Sequence, residues 1–202
     1  MKKLGILGGT FDPVHWGHII IAQDLRETFR LDRVLFMPAW RAPHKRDRKT
    51  APARHRLAML RAAVRGREGL AVSDIEIKRR GTSYTIDTVR KIASGGVKIV
   101  FFAGTDAIPD LPKWREIDAL AKECRFVLMK RPGFDVKQIE VLRKKLRPAT
   151  FRALRANVTD IRQIDISSTE IRRRLRRGLD ISHLVPPSVA KYIAAKRLYK
   201  SK

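Results

Sequence analysis

Apolar residues fall along this chain in two alternating patterns: short unbroken runs, and longer stretches with helical spacing. Lys2–Leu7 is a short run that meets Gly8-Gly9, which predicts a buried strand ending in a tight turn. In Gly17–Arg30 the residues Ile20, Ile21, Leu25 and Phe29 share one side, the mark of an amphipathic helix. Arg33–Met37 is a second strand, stopped by Pro38. The alternation continues with a helix over Pro52–Arg65, a strand over Leu70–Ile77 and a helix over Thr85–Ala93. A strongly apolar strand over Val97–Ala103, a helix over Lys113–Lys122 and a fifth strand over Arg125–Met129 complete it. After Asp135 the pattern changes: a helix over Val136–Leu146, a short strand near Val158–Ile166, then helices over Ser168–Arg177 and Ser188–Tyr199.

Strands that are apolar on both faces and separated by helices predict an α/β fold. The expectation is a doubly wound, Rossmann-like parallel sheet with helices on both faces and a small helical C-terminal part. The length fits a single domain over 1–202, with a core at 1–134 and the C-terminal part at 135–202. Ligands of such sheets bind beyond the carboxyl ends of the strands. That directs attention to residues 8–18, 38–45, 80–85 and 104–114.

Composition agrees with a globular chain: 44% apolar and 32% charged residues. No apolar run approaches a membrane span, and Gly8, Gly9, Asp12, Pro13 and His15 interrupt what Met1-Lys2-Lys3 begins like a signal peptide. No membrane association is expected. The single cysteine, Cys124, permits no internal disulfide and reads as a small buried side chain, so the cytoplasm is the expected compartment. The net charge of +25 is the unusual feature, and it should attract polyanions. Either a nucleic-acid binder or a phosphate-handling enzyme with a basic surface would carry it. Residues 130–202 hold 20 Lys and Arg against 6 Asp and Glu, and residues 1–129 hold 25 against 14, so no basic tail stands out.

The strongest chemical signal is Gly8-Gly9-Thr10-Phe11-Asp12-Pro13-Val14-His15-Trp16-Gly17-His18. It places a glycine turn at the end of a strand, then two histidines at i and i+3 opening a helix. Glycines let backbone N–H groups approach phosphate oxygens. The i, i+3 spacing lets His15 and His18 address one ligand, and Gly17 leaves room where a base or ribose could sit. Neither a zinc set nor a dehydrogenase fingerprint fits. No cysteine or carboxylate stands at a matching spacing, and the glycines do not follow Gly-x-Gly-x-x-Gly.

This run resembles the signature of the nucleotidyltransferase superfamily with a His-x-Gly-His motif, in the form carried by bacterial nicotinate-nucleotide adenylyltransferases. Pro43-His44-Lys45, Arg80–Thr88, Ile166–Arg172 and Val185–Ile193 are similar to further stretches of that family. The resemblance runs from residue 4 to about residue 199. It implies an enzyme of NAD biosynthesis that transfers the adenylyl group of ATP to nicotinate mononucleotide and releases pyrophosphate. It implies catalytic roles for His15, His18, Lys45 and Arg172, and ATP contacts from Gly8, Gly9, Thr10, Phe11, Gly104, Asp106, Arg131, Ser167 and Ser168. Tyr84, Thr85, Trp114 and Arg115 would receive the nicotinate mononucleotide, with the indole stacked on the pyridine ring and backbone N–H groups near Thr85 and Arg115 on its carboxylate.

The residues support this. Ser167 and Glu170 have capping-box spacing, and a helix N-terminus suits phosphate. Mg²⁺ is expected on the ATP phosphates and water, since the motifs offer no carboxylate cage. Other transferases of the superfamily are the near alternative; phosphopantetheine adenylyltransferases are shorter and usually carry Thr in place of His15. A nicotinamide-preferring enzyme is nearer still. Nonspecific nucleic-acid binding at low salt is expected from the charge, and a homo-oligomer is compatible with the sequence.

Overall fold

The computed structural model describes residues 2–41 and 50–199. Six strands form one sheet: β1 (Lys3–Gly9), β2 (Arg33–Pro38), β3 (Leu70–Val72), β4 (Lys98–Gly104), β5 (Arg125–Met129) and β6 (Val158–Thr159). All pair in parallel, in the order β3-β2-β1-β4-β5-β6. Nine helices are described: α1 (Trp16–Thr28), α2 (Ala53–Val64), α3 (Ile75–Arg79), α4 (Thr85–Ala93), α5 (Ile117–Glu123), α6 (Lys137–Glu140), α7 (Pro148–Ala156), α8 (Ser168–Arg176) and α9 (Pro187–Ala195). A 3₁₀ segment covers Thr105–Lys113.

Successive strand residues serve opposite cores, as the two-residue period requires. Leu7, Val100, Phe102, Val127 and Met129 pack with Ile21 and Leu25 of α1, Met59 of α2, Ile171 of α8 and Val189 of α9. Ile6, Ile99, Phe101, Phe126 and Leu128 pack with Ile86 and Val89 of α4, Leu120 of α5 and Leu154 of α7. The sheet is thus covered on both faces, as a continuous apolar strand demands. Cys124 is buried, and its Sγ donates to the Leu120 carbonyl at 3.2 Å. Burial, then Glu123, pushes its thiol up to about 12, so it stays an inert thiol. Among the described residues no helix is long and apolar enough to cross a membrane.

Four predicted elements differ. The third strand ends at Val72, and Ile75–Arg79 turns into a short helix. The stretch read as helical from Lys113 divides instead into the 3₁₀ segment and α5, because Glu116 takes a left-handed φ of 51° between them. Val136–Leu146 keeps only four α-helical residues before turns, and the longer helix is α7, which opens on Pro148 at a position where a missing N–H costs nothing. The last helix stops at Ala195, with Arg197 and Tyr199 at φ values of 48° and 65°.

Strand order reverses between β1 and β4, which leave in opposite directions toward β2 and β5. This opens a crevice beyond their carboxyl ends, where Gly8-Gly9 and Ala103-Gly104 lie.

Candidate active site

That crevice holds a cavity of about 650 Å³. One wall comes from the turn after β1 and from the start of α8: Gly8, Gly9, Thr10, Phe11, Asp12, Ser167, Ser168 and Arg172, with His18 behind the turn. The opposite wall comes from Ser83, Thr85 and Thr88 at the start of α4, and from Asp110 and Trp114 beyond β4. Gly104, Asp106 and Arg131 line the space between them.

The first wall is tied together across the whole chain. Ser167 caps α8, its Oγ accepting from the Glu170 N–H at 3.1 Å. The Glu170 carboxylate does not return to complete a capping box; it pairs with Arg173 at 2.7 Å. Ser168 Oγ donates to the Pro13 carbonyl at 2.9 Å, and Arg172 Nη1 donates to the Asp12 carbonyl at 2.7 Å. The N-terminus of α8 and its arginine are therefore held beside the glycine turn. Free N–H groups, a helix dipole and a guanidinium converge there, an arrangement that suits an anion.

The two histidines are in ring contact, with centroids 3.7 Å apart. His15 is the N-cap of α1, and its backbone N–H donates to His18 Nδ1 at 3.2 Å. With Nδ1 accepting, a neutral His18 carries its proton on Nε2. Burial first, then His15 and Arg131, holds the His18 imidazole well below its usual range. Burial, then Arg131, lowers His15 to about 4. Both rings are neutral at pH 7, so His18 offers a hydrogen-bond donor and not a charge. His18 lines the cavity, whereas His15 lies against its ring and is not among the lining residues. The room at Gly17 serves this pair as well. A Cβ there would stand 3.1 Å from His15 Nδ1 and 3.5 Å from Ile164, so the missing side chain gives the imidazole its room.

Gly104 has a related duty. A Cβ at this position would collide with the Asp106 carboxylate and come within 2.7 Å of Arg131 Nε. Its absence lets Asp106 and Arg131 approach each other, Oδ1 to Nε at 3.6 Å, over the end of β4.

On the second wall Trp114 is half-buried, packing against Phe101 and Phe126 with centroids at 6.0 and 5.6 Å. Thr85 opens α4 and faces the cavity, so the free N–H groups of that helix start are at hand. Tyr84 and Arg115 stand at the side, not among the lining residues, the guanidinium lying 5.0 Å over the phenol ring and 3.6 Å from the Asp87 carboxylate. Lys45 lies outside the described residues.

The fold also brings here several groups to which the motifs assign no role. Asp12 is buried, lines the cavity and accepts from the Ala51 N–H at 3.1 Å and the Tyr199 hydroxyl at 2.7 Å. Glu76 is buried against Thr88, whose hydroxyl donates to it at 2.8 Å, and desolvation raises its carboxyl above the usual range. Ser83 Oγ accepts the Trp40 N–H at 3.0 Å, linking the end of β2 to the start of α4. Among the described residues no three His, Cys, Asp or Glu side chains converge on a metal position.

A doubly wound sheet with an anion wall and an aromatic wall at its switch point defines a nucleotide-handling enzyme. The model of the cytidylyltransferase-like family matches residues 6–174. A "probable nicotinate-nucleotide adenylyltransferase" of Moorella thermoacetica is 38% identical over 98% of this chain and 92% of its own, and one of Thermoanaerobacter sp. is 40% identical over 98% and 94%. In the solved Plasmodium falciparum nicotinic acid mononucleotide adenylyltransferase complexed with NaAD, the same fold recurs with a TM-score of 0.74, covering 98% of each chain at 20% identity. The chain belongs to the cytidylyltransferase-like nucleotidyltransferases and, within them, to the nicotinate-nucleotide adenylyltransferase family.

Proposed function

We infer that the protein transfers the adenylyl group of ATP to nicotinate mononucleotide, giving nicotinate adenine dinucleotide and pyrophosphate in NAD biosynthesis. The observation that carries this reading is the single continuous cavity. Its anion wall of His18, Ser168 and Arg172 faces an aromatic wall of Trp114 and the start of α4, so two nucleotides can meet in line.

A 5′-phosphate oxygen of the mononucleotide attacks the α-phosphorus of ATP. The new P–O bond forms as the bond from the α-phosphorus to the bridging oxygen breaks, and pyrophosphate leaves with that oxygen. Both reacting groups belong to the substrates, so the protein supplies position and charge compensation rather than a nucleophile. The Nε2–H of His18 donates to the α-phosphate, and His15 holds that ring in place. Arg172 and the N-terminus of α8 bear the β- and γ-phosphates. Gly104, Asp106 and Arg131 border the adenosine. Magnesium enters as part of the nucleotide substrate, on phosphate and water oxygens.

Trp114 stacks on the pyridine ring. The N-terminus of α4 at Thr85 faces the ring carboxylate, where its dipole favours an anion over a neutral amide. The test mixes purified protein with ATP and Mg²⁺, adds nicotinate or nicotinamide mononucleotide in parallel, and measures pyrophosphate release. Strong release with the nicotinate form alone is expected. Equal release with both would refute the role of the α4 terminus, and none with either would refute the assignment.

A further inference from the structure

Arg56 is the largest fully buried side chain of the described residues, with 2% of its surface exposed. It lies on α2, behind the cavity and not in it. A buried guanidinium is costly unless every donor is used and its charge is compensated. Here Nε donates to the Ala51 carbonyl at 3.0 Å and Nη1 to the Thr10 carbonyl at 2.8 Å. Nη2 reaches the carbonyls of Ala39 at 2.8 Å and Trp40 at 3.3 Å. Those four carbonyls belong to three separate pieces of the site: the turn after β1, the end of β2 and the entry to α2.

The Asp12 carboxylate completes the arrangement from the other side. It accepts the N–H of Ala51, whose carbonyl Arg56 holds, so the two charged groups grip one residue at both of its peptides. Tyr199, the last described residue, donates to the same carboxylate oxygen, and Arg172 Nη1 stands 3.8 Å from the other. Planar, five-donor geometry is what this task requires. A lysine ammonium could not reach carbonyls on three sides at once.

We propose that Arg56, backed by Asp12, is a positioning residue for adenylyl transfer. It fixes the phosphate turn at Thr10–Asp12 to the two backbone segments that meet it, so that His18 and Arg172 keep their places around the reacting phosphates. The proposal rests on the reading of the cavity given above. It predicts a loss in turnover rather than in binding, because the groups that touch substrate all remain.

The test is Arg56→Lys, which keeps the charge and most of the volume. The expected result is a kcat at least roughly tenfold lower with KM for both substrates within about threefold, since small displacements of reacting groups cost rate steeply. Hydrogen exchange at Ala51 should quicken in the variant while the core strands stay protected. A folded Arg56→Lys protein with wild-type kcat, a loss confined to KM, or unchanged exchange at Ala51 would each overturn the proposal. Should Arg56→Lys fail to fold, Tyr199→Phe decides: it removes one hydrogen bond to Asp12 from outside the cavity. A reduced kcat at unchanged KM then supports the clamp, and wild-type kcat overturns it. Wild-type protein that releases no pyrophosphate would refute the assigned reaction instead, and the exchange comparison would still judge the clamp.

Discussion

On the anion wall, Ser168 and Arg172 reach back across more than 150 residues of sequence to bond the carbonyls of Pro13 and Asp12. On the second wall, Trp114 and Thr85 lie at the cavity, and the indole also packs against Phe101 and Phe126. The first wall is a network of part-buried hydrogen bonds around the glycine turn. The second is an aromatic surface beside a helix terminus. Donors aimed at developing charge must be fixed beforehand if they are to lower a barrier, whereas a flat ring is recognised by contact area and one oriented helix end. Under the proposed reaction, rate would reside in the first wall and substrate choice in the second.

The comparison breaks most visibly at His18. His18→Ala should reduce kcat on the order of 100-fold or more, measured as pyrophosphate release, with circular dichroism confirming the fold. A near-normal rate would move catalysis away from this wall.

Next is a pH signature peculiar to the histidine pair. His15 is held at about 4 in the folded protein, below its unfolded value of 6.5. As pH falls from 6.5 towards 4 the unfolded chain therefore takes up a proton that the folded one refuses. Stability is full above pH 6.5; His15 alone should account for a decline of about 3 kcal/mol on approaching pH 4, and the lowered His18 adds to it in the same direction. Urea unfolding at pH 7 and pH 4.5 measures it, and His15→Asn should flatten the slope.

The smallest expected effect is on the second wall. Trp114→Ala should raise KM for nicotinate mononucleotide by about tenfold, the scale of one aromatic stack, while KM for ATP stays within about twofold. An equal rise for both substrates would erase the distinction between the walls.

Much of the fold was legible because strands buried on both faces leave unbroken apolar runs. β1, β2, β4 and β5 were all visible, with their helices. Two of the differences have local causes: β3 has only three residues, too few for a period, and Glu116 breaks a helical pattern by a backbone choice that apolar spacing does not encode. Among the site residues, Gly8–His18 and Ile166–Arg172 stood out as motifs, but that His15 packs on the His18 ring while only His18 lines the cavity was not visible. Asp12 was visible as part of the motif, but its bonds to Ala51 and Tyr199 were not. Arg56 had no signal, since one arginine on an amphipathic helix of a chain this basic looks like a surface charge.

The sequence by itself determined the alternation of elements, the glycine turn and the helix start that suit phosphate, because these depend on local periodicity and backbone freedom. Only the tertiary structure decided that Arg172 meets Asp12, that Ala51 is gripped from both sides and that two neutral imidazoles meet in ring contact, because burial and contacts across distant residues set partners and protonation states that no local pattern contains.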